Sequence, residues 1–346
     1  MKVDYIIVGL GLAGLAFAEE LIQAKKTFLV FEDASQTSSL VAGGVYNPVV
    51  LRKFTAVWKA AEQLDLAIPF YERLEQKLNI KFDEKFLIKR AFKSVEEQNN
   101  WFAASDNLVL KRFLNPAIEN KKVAGVIGDF GFGTVNETGR IDTLKLVKAY
   151  RNFLMDEKCI HFEKFEHLKL KVSAKKITYK KIECKQVVFC EGFGIKGNPF
   201  FKDLPLEEAK GELLTIHAPE LKIDFLLKSA LFLIPLGDNR YKVGATFNHL
   251  DKTTTPSEKG KLELVDKLKK VINVPYEIID QTAGIRPTTN DRRPFIGQHK
   301  KHNRLAVLNG LGTRGVMLAP TMARNLFNCI EKDIALDLEI DIKRFQ

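Results

Sequence analysis

Long apolar runs are missing from this chain of 346 residues. The most apolar stretch near its start, residues 5 to 18, is broken by Gly9, Gly11 and Gly14, so no transmembrane helix is read there. No basic segment precedes a small-residue cleavage site either, which excludes a signal peptide and sets the expectation of a cytoplasmic location without membrane association. Cysteine is sparse. Cys159, Cys184, Cys190 and Cys329 show no Cys-x-x-Cys spacing and no companion histidine cluster, which argues against a zinc site, any other metal centre and a disulfide framework. Cys190, inside the apolar run VVFCEG, reads as a small buried thiol. Internal repeats and low-complexity segments are absent too. A chain without these devices must be held by an ordinary core, for which its 45% hydrophobic content suffices, and its length suggests two domains.

Acid is in short supply relative to base. With 54 Lys and Arg against 43 Asp and Glu, the net charge of +11 brings anionic partners into consideration. The lysines are scattered, as in Lys175, Lys176, Lys180 and Lys181 and again in Lys267, Lys269 and Lys270, the pattern of a solvated surface.

What is present begins at Val3. An apolar run from Tyr5 to Val8 leads into Gly9, Gly11 and Gly14, then a helical pattern from about Leu12, then a second apolar run from Phe28 to Phe31 closed by Glu32. This is strand, tight turn, helix, strand, the first unit of a dinucleotide-binding fold. A Cβ at Gly9 would block the turn, one at Gly11 would hold the backbone off a pyrophosphate, and one at Gly14 would push the helix off the strand. The helix start aims N–H groups and a positive dipole end at the phosphates. Glu32, 18 residues after Gly14, stands where an acid would accept hydrogen bonds from a ribose.

Further along, Gly43 and Gly44 make a backbone able to press against a flat ligand. Residues 57 to 79 carry apolar faces at helical spacing, with Pro69 expected to interrupt the helix. Short apolar runs are expected at Phe86 to Ile88 and Val123 to Ile127, with a polar helix near Val95 to Ser105 between them. Asp142 is a candidate N-cap. Residues 168 to 172 and 177 to 184 read as a hairpin, and a buried strand then ends at Gly192 and Gly194, a place where a doubly wound sheet meets its cofactor. From Gly211 to His249 the sequence alternates as strands do, and a surface helix falls within residues 251 to 270.

Near the end, residues 305 to 308 form a strand, Gly310, Gly312 and Gly315 a turn, and a helix follows from about Met317. This is a second anion site at a helix start. One dinucleotide has one pyrophosphate, so the second helix must face another part of the cofactor that bears negative charge. The N1 and C2 carbonyl edge of a reduced flavin does; a nicotinamide does not. FAD is therefore expected rather than NAD.

The segments VGLGLAGLAFAEEL, AGGVYNP, KGELL, LIPLGDNRYKVGAT, AGIRPTTNDRRPFIG and NGLGTRGVMLAP, in that order over nearly the whole chain, resemble the D-amino-acid oxidase and glycine oxidase superfamily of FAD-dependent oxidoreductases. The resemblance implies an α/β architecture: a Rossmann-like FAD-binding domain from residues 1–52, 141–205 and 281–346, interleaved with an α+β substrate domain on an antiparallel sheet from residues 53–140 and 206–280. It implies that Gly9, Gly11, Gly14 and Glu32 hold the ADP half, that Ala42, Gly43 and Gly44 lie along the flavin, and that Gly310, Gly312, Arg314 and Gly315 approach its pyrimidine edge. Arg286 falls where family members place the arginine that pairs with a substrate carboxylate. The alternative for Arg286 is a structural ion pair with Asp291 or with some other acid of the fold.

The activity implied is oxidation of the C–N bond of a small amine or amino acid, with Arg286, Tyr241 and Arg314 as candidate catalytic residues and FAD bound noncovalently, since no cysteine lies near the C-terminal turn. Tyr46, Phe232, Tyr241, Phe247 and His249 could line the pocket, or could be ordinary sheet packing. The form GLGTRG departs from the GHxRxG of glycine oxidases and is closer to the oxidase half of a bifunctional enzyme of tRNA thiouridine modification. The competing expectation is thus an FAD enzyme acting on a carboxymethylaminomethyl-uridine in tRNA.

Overall fold

Buried on both faces, the first strand, Lys2–Val8, runs down the middle of the parallel part of an eight-stranded sheet, which explains why Tyr5, Ile6, Ile7 and Val8 are all apolar. The computed structural model describes residues 1–173 and 175–345. On one side of the first strand Phe28–Phe31 pairs in parallel, with Ile160–His161 beyond it. On the other, Ile182–Phe189 pairs in parallel and is followed by Leu305–Asn309. Helices Leu12–Gln23, Ala60–Leu78, Thr143–Asp156 and Gly315–Lys332 share one apolar core on one face of this sheet. Phe165, Tyr179, Phe189 and Phe201 build the core of the other. Asp142 caps Thr143–Asp156 as expected, its side chain accepting from the N–H of Lys145 at 3.1 Å.

A second sheet has eight strands in the order Glu277–Thr289, Leu206–His217, Arg240–Gly244, Phe232–Gly237, Leu226–Lys228, Ile88–Ala91, Phe132–Val135 and Leu114–Glu119. All neighbours are antiparallel except Leu226–Lys228 with Ile88–Ala91, which is parallel, so the sheet is mixed. One face packs Leu214, Ile216, Leu233 and Tyr241 against helix Glu258–Leu268. The other looks towards the nucleotide-side sheet. Among the described residues no helix is long and apolar enough to cross a membrane.

Several expectations are corrected. Pro69 does not break its helix, which runs unbroken from Ala60 to Leu78. Pro320 also lies within a helix, where it has no N–H to give the carbonyl of Val316; the hydroxyl of Tyr71 donates to that carbonyl instead, at 2.8 Å. The hairpin forms between Leu170–Val172 and Ile177–Tyr179, but the second run turns at Lys180, with φ of 51°, and resumes as Ile182–Phe189. Val123 to Ile127 forms no strand, only a bridge from Val126 to Ile272. Glu277–Thr289 pairs along Leu206–His217 as far as Leu206 with Thr289. Residues 281 to 289 therefore lie in the second sheet.

Candidate active site

A cavity of about 770 Å³ opens between the two sheets and is walled by both. At one end are Glu32, Asp33, Lys164, Phe165 and His167; at the other are Leu213, Phe232, Gly244, Thr246, Phe247 and Arg286. A cavity of that volume suits a large cofactor with a small substrate beyond it.

The first glycine turn forms the floor. Gly9 has φ of +94°, and a Cβ there would lie 2.6 Å from the carbonyl oxygen of Cys190. Gly14 is not on the cavity wall; its Cβ would lie 2.0 Å from the carbonyl oxygen of Gly9, so its task is helix-to-strand packing. Gly11 caps Leu12–Gln23 with no side-chain hydrogen bond, and the first turn holds no acid, so the positive end of the helix faces the cavity. Beside it, Ser39 Oγ accepts from the N–H of Leu12 at 3.2 Å. Glu32 is fixed at the end of its strand: one oxygen accepts from the N–H of Leu10 at 2.6 Å, the other from the N–H of Ala34 at 3.0 Å and from Arg151 Nη2 at 2.8 Å. A carboxylate so held is presented to the cavity in one orientation.

Ala42, Gly43 and Gly44 line the middle. Gly44 takes φ of +71°, and a Cβ there would be 1.9 Å from the carbonyl oxygen of Ile141. Across from it the C-terminal turn contributes Gly312, Thr313, Arg314 and Gly315, where the last helix begins. Gly310 lies behind the wall and only makes the turn, with φ of +73°. Gly192 is on the wall, and its carbonyl accepts from Asn309 Nδ2 at 2.8 Å. Arg314 donates to the carbonyl of Asn47 at 3.1 Å, and burial, with Arg292 nearby, brings its guanidinium down to about 10.

Arg286 rises from Glu277–Thr289 and lies across Gly211 of the neighbouring strand; a Cβ at Gly211 would fall 1.8 Å from Arg286 Nη2. Only a residue without a side chain leaves that path open. Arg286 donates to the carbonyl of Thr246 at 3.2 Å and stands 5.6 Å from the ring centroid of Phe247. Among the described residues no carboxylate pairs with it, and Asp291, the expected structural partner, pairs with Arg344 at 3.2 Å. Burial draws its guanidinium down to about 10.

Tyr241 is corrected: it is buried on the far face of its strand, its hydroxyl donating to the carbonyl of Leu221, and it does not reach the cavity. Tyr46 is likewise buried elsewhere and bonded to Asp83 at 3.0 Å, and His249 is exposed beside Phe247. Phe232 and Phe247 do line the cavity. Residues that sequence reasoning missed include Gly211, Ser39, Gly244, Thr246 and Asn309. The contact each of them makes lies on another strand or loop, so no local motif reveals it.

Against known proteins, residues 4–328 match the model of the DAO family, described as FAD dependent oxidoreductase. A glycine oxidase of Bacillus licheniformis is 23% identical over 95% of this chain and 93% of its own length. Other curated glycine oxidases match over only 36% and 37% of theirs. The tRNA 5-methylaminomethyl-2-thiouridine biosynthesis bifunctional protein of Campylobacter jejuni subsp. doylei is 22% identical over 84% of this chain, which spans 45% of that protein's length. The crystal structure of glycine oxidase from Bacillus cereus superposes with a TM-score of 0.80 at 18% identity, covering 96% of each chain, a likeness of fold.

Proposed function

The chain belongs to the DAO family of FAD dependent oxidoreductases, and from that premise we propose that it oxidises the C–N bond of a small amine or amino acid that carries a carboxylate. The observation that carries this reading is Arg286, a partly buried cation at the cavity wall with no acid of its own among the described residues. A guanidinium so placed is costly to the fold unless an anion arrives to pair with it.

The two glycine turns, Glu32 and the Ala42–Gly44 loop would hold FAD. When bound, FAD supplies the acceptor for the hydride that leaves the substrate carbon. Arg286 would take the substrate carboxylate bidentately and fix the C–H bond in one orientation, which turns a collision into an effectively intramolecular step. Arg314 and the start of Gly315–Lys332 bring positive potential to the cavity where negative charge develops.

Around Arg286 the wall is Gly211, Leu213, Phe232, Gly244, Thr246 and Phe247, without an acid or a histidine among the described residues. The substrate nitrogen must therefore lose its proton to water, and its lone pair forms the C=N bond as hydride departs. Water then adds to the imine and releases the amine nitrogen. On this account kcat/KM rises with pH until the substrate amine is neutral. Noncovalent binding of the cofactor fits the cysteines, since Cys190, the one on the cavity wall among the described residues, has its thiol pushed well above the usual range by burial.

The test is anaerobic mixing of the FAD-loaded protein with a panel of amines, read as bleaching of the visible flavin bands. Arg286→Ala abolishes bleaching by carboxylated amines and leaves the yellow colour; normal reduction of that variant would refute the assignment. A second reading, action on a modified uridine in tRNA, has the net charge of +11 and the 22% identical relative in its favour. It requires tight tRNA binding that falls steeply with salt.

A further inference from the structure

Gly211 and Leu213 stand two residues apart on the cavity face of Leu206–His217, about 7 Å along the strand. Arg286 lies over Gly211, so a carboxylate paired with its guanidinium sits at the level of that glycine. Leu213 marks the next level. There the cross-strand row is Leu213, Gly244 and Phe232 from three neighbouring strands, and all three line the cavity. Leu213 leans across Gly244, where a Cβ would lie 2.8 Å from Leu213 Cδ2. Ile234 follows Phe232 by two residues and lines the same cavity. A Cβ on Gly43 would be 3.1 Å from Ile234 Cδ1 and 3.9 Å from Leu213 Cδ2, so these methyl groups reach the Ala42–Gly44 loop that would lie along the flavin. The cation and the apolar wall form one continuous surface.

Thr246 fixes where the cation stands. Its hydroxyl accepts from the N–H of Glu212 at 2.9 Å, its N–H donates to the carbonyl of Glu212 at 3.1 Å, and its own carbonyl accepts from Arg286 at 3.2 Å. Glu212 lies between Gly211 and Leu213, so the guanidinium is held in register with that strand. Ser38, whose backbone passes close to Gly284 on the cavity wall, donates its hydroxyl to the carbonyl of Ile285. Among the described residues, no buried side-chain nitrogen or oxygen that lacks a hydrogen bond lies on the cavity wall. A polar side chain arriving beside Leu213 would lose its water without a side-chain partner waiting for it, whereas an apolar one gains by leaving water. Phe247, 55% exposed beside Arg286, adds an aromatic face on the open side.

We infer that Leu213, Phe232 and Ile234 form an apolar side-chain subsite beside Arg286, and that the substrate is an amino acid with a bulky apolar side chain. The inference rests on the reading of Arg286 as the anchor for the α-carboxylate and deepens it. With the carboxylate at the level of Gly211, a side chain of about three or four carbons extends along the strand to the level of Leu213 and Phe232. Each methylene it places there leaves water for an apolar wall, which favours longer aliphatic or aromatic groups over short or polar ones. Selection thus has two parts: Arg286 demands the acid, and the wall demands what the acid carries.

The test uses non-reacting acids and the FAD-loaded protein, with affinity read from the shift of the visible flavin spectrum. 4-Methylpentanoate and succinamate have the same shape and one carboxylate each, but the first ends in two methyl groups and the second in an amide. Both are titrated at pH 7 into wild type, Phe232→Gln, Phe232→Leu, Leu213→Asn and Arg286→Gln. Wild type prefers 4-methylpentanoate by about tenfold or more. Phe232→Gln and Leu213→Asn each shrink that ratio, and Phe232→Leu keeps it. Equal affinity for the two acids in wild type, with binding of both lost in Arg286→Gln, would overturn the apolar subsite alone. A ratio unchanged in both Phe232→Gln and Leu213→Asn would overturn its assignment to this wall. Failure of both acids to bind wild type would overturn the carboxylate reading of Arg286 and this subsite together.

Discussion

A Cβ on Gly315 would lie 3.2 Å from Leu12 Cδ1, so the first residues of two helices from opposite ends of the chain are in contact. Both helix starts open into the same cavity. Their dipoles reinforce one another there, and the combined potential favours a ligand that carries anionic character at two separate points.

Two glycines of the first turn have separable tasks, and this gives the first prediction. Alanine at Gly14 would set a Cβ against the backbone oxygen of Gly9, which cannot yield. We expect Gly14→Ala to cost at least ~2 kcal/mol of stability, seen as a lower Tm of the cofactor-free protein. At Gly11 the obstacle is the rotatable hydroxyl of Ser39, 2.9 Å from the Cβ. Gly11→Ala should leave that Tm close to wild type and weaken FAD binding by roughly tenfold or more. Equal effects of the two variants on both readouts would remove the distinction.

Tyr71 substitutes for the N–H that Pro320 lacks, since its hydroxyl is the donor to the carbonyl of Val316. Tyr71→Phe keeps the ring and strands a buried acceptor, at a cost of about 1–3 kcal/mol in urea unfolding. An unchanged midpoint and slope would show that the carbonyl finds another donor.

Asp251 and Lys210 set an acid limit. The Lys210 ammonium and Thr253 hold the Asp251 carboxyl down to about 2, and this pair helps fasten the loop from Asn248 to Ser257 beside Phe247. A carboxyl lowered in the folded state stabilises it above the ordinary value near 4, and that contribution fades as pH falls from there towards 2. Asp251→Asn should lower Tm at pH 6, and the gap from wild type should close by pH 2. A gap independent of pH would mean that the carboxylate charge is not its source.

The sequence made some of this legible and hid the rest for physical reasons. Gly9, Gly11, Gly14 and Glu32 act within one strand, turn and helix, so their spacing is visible in a single stretch of chain. Gly211 could not be read that way, because the side chain it admits belongs to Arg286, 75 positions away and brought to it by strand pairing. Tyr241 was misplaced through its face: in Arg240–Gly244 it shares the buried side with Val243, whereas Gly244 faces the cavity. The long strand Glu277–Thr289 was hidden for a similar reason, since its pairing with Leu206–His217, which carries Arg286 into the second sheet, joins stretches far apart in the chain.

The central claim is that Arg286 selects substrates by their carboxylate. Its most direct test is the rate of anaerobic flavin bleaching with matched pairs that differ only in that group, such as alanine and ethylamine, for wild type and Arg286→Ala. The account predicts that wild type reacts at least about a hundredfold faster with the acid-bearing member of a reactive pair and that the variant loses this ratio. Equal rates for the two members in wild type would contradict it.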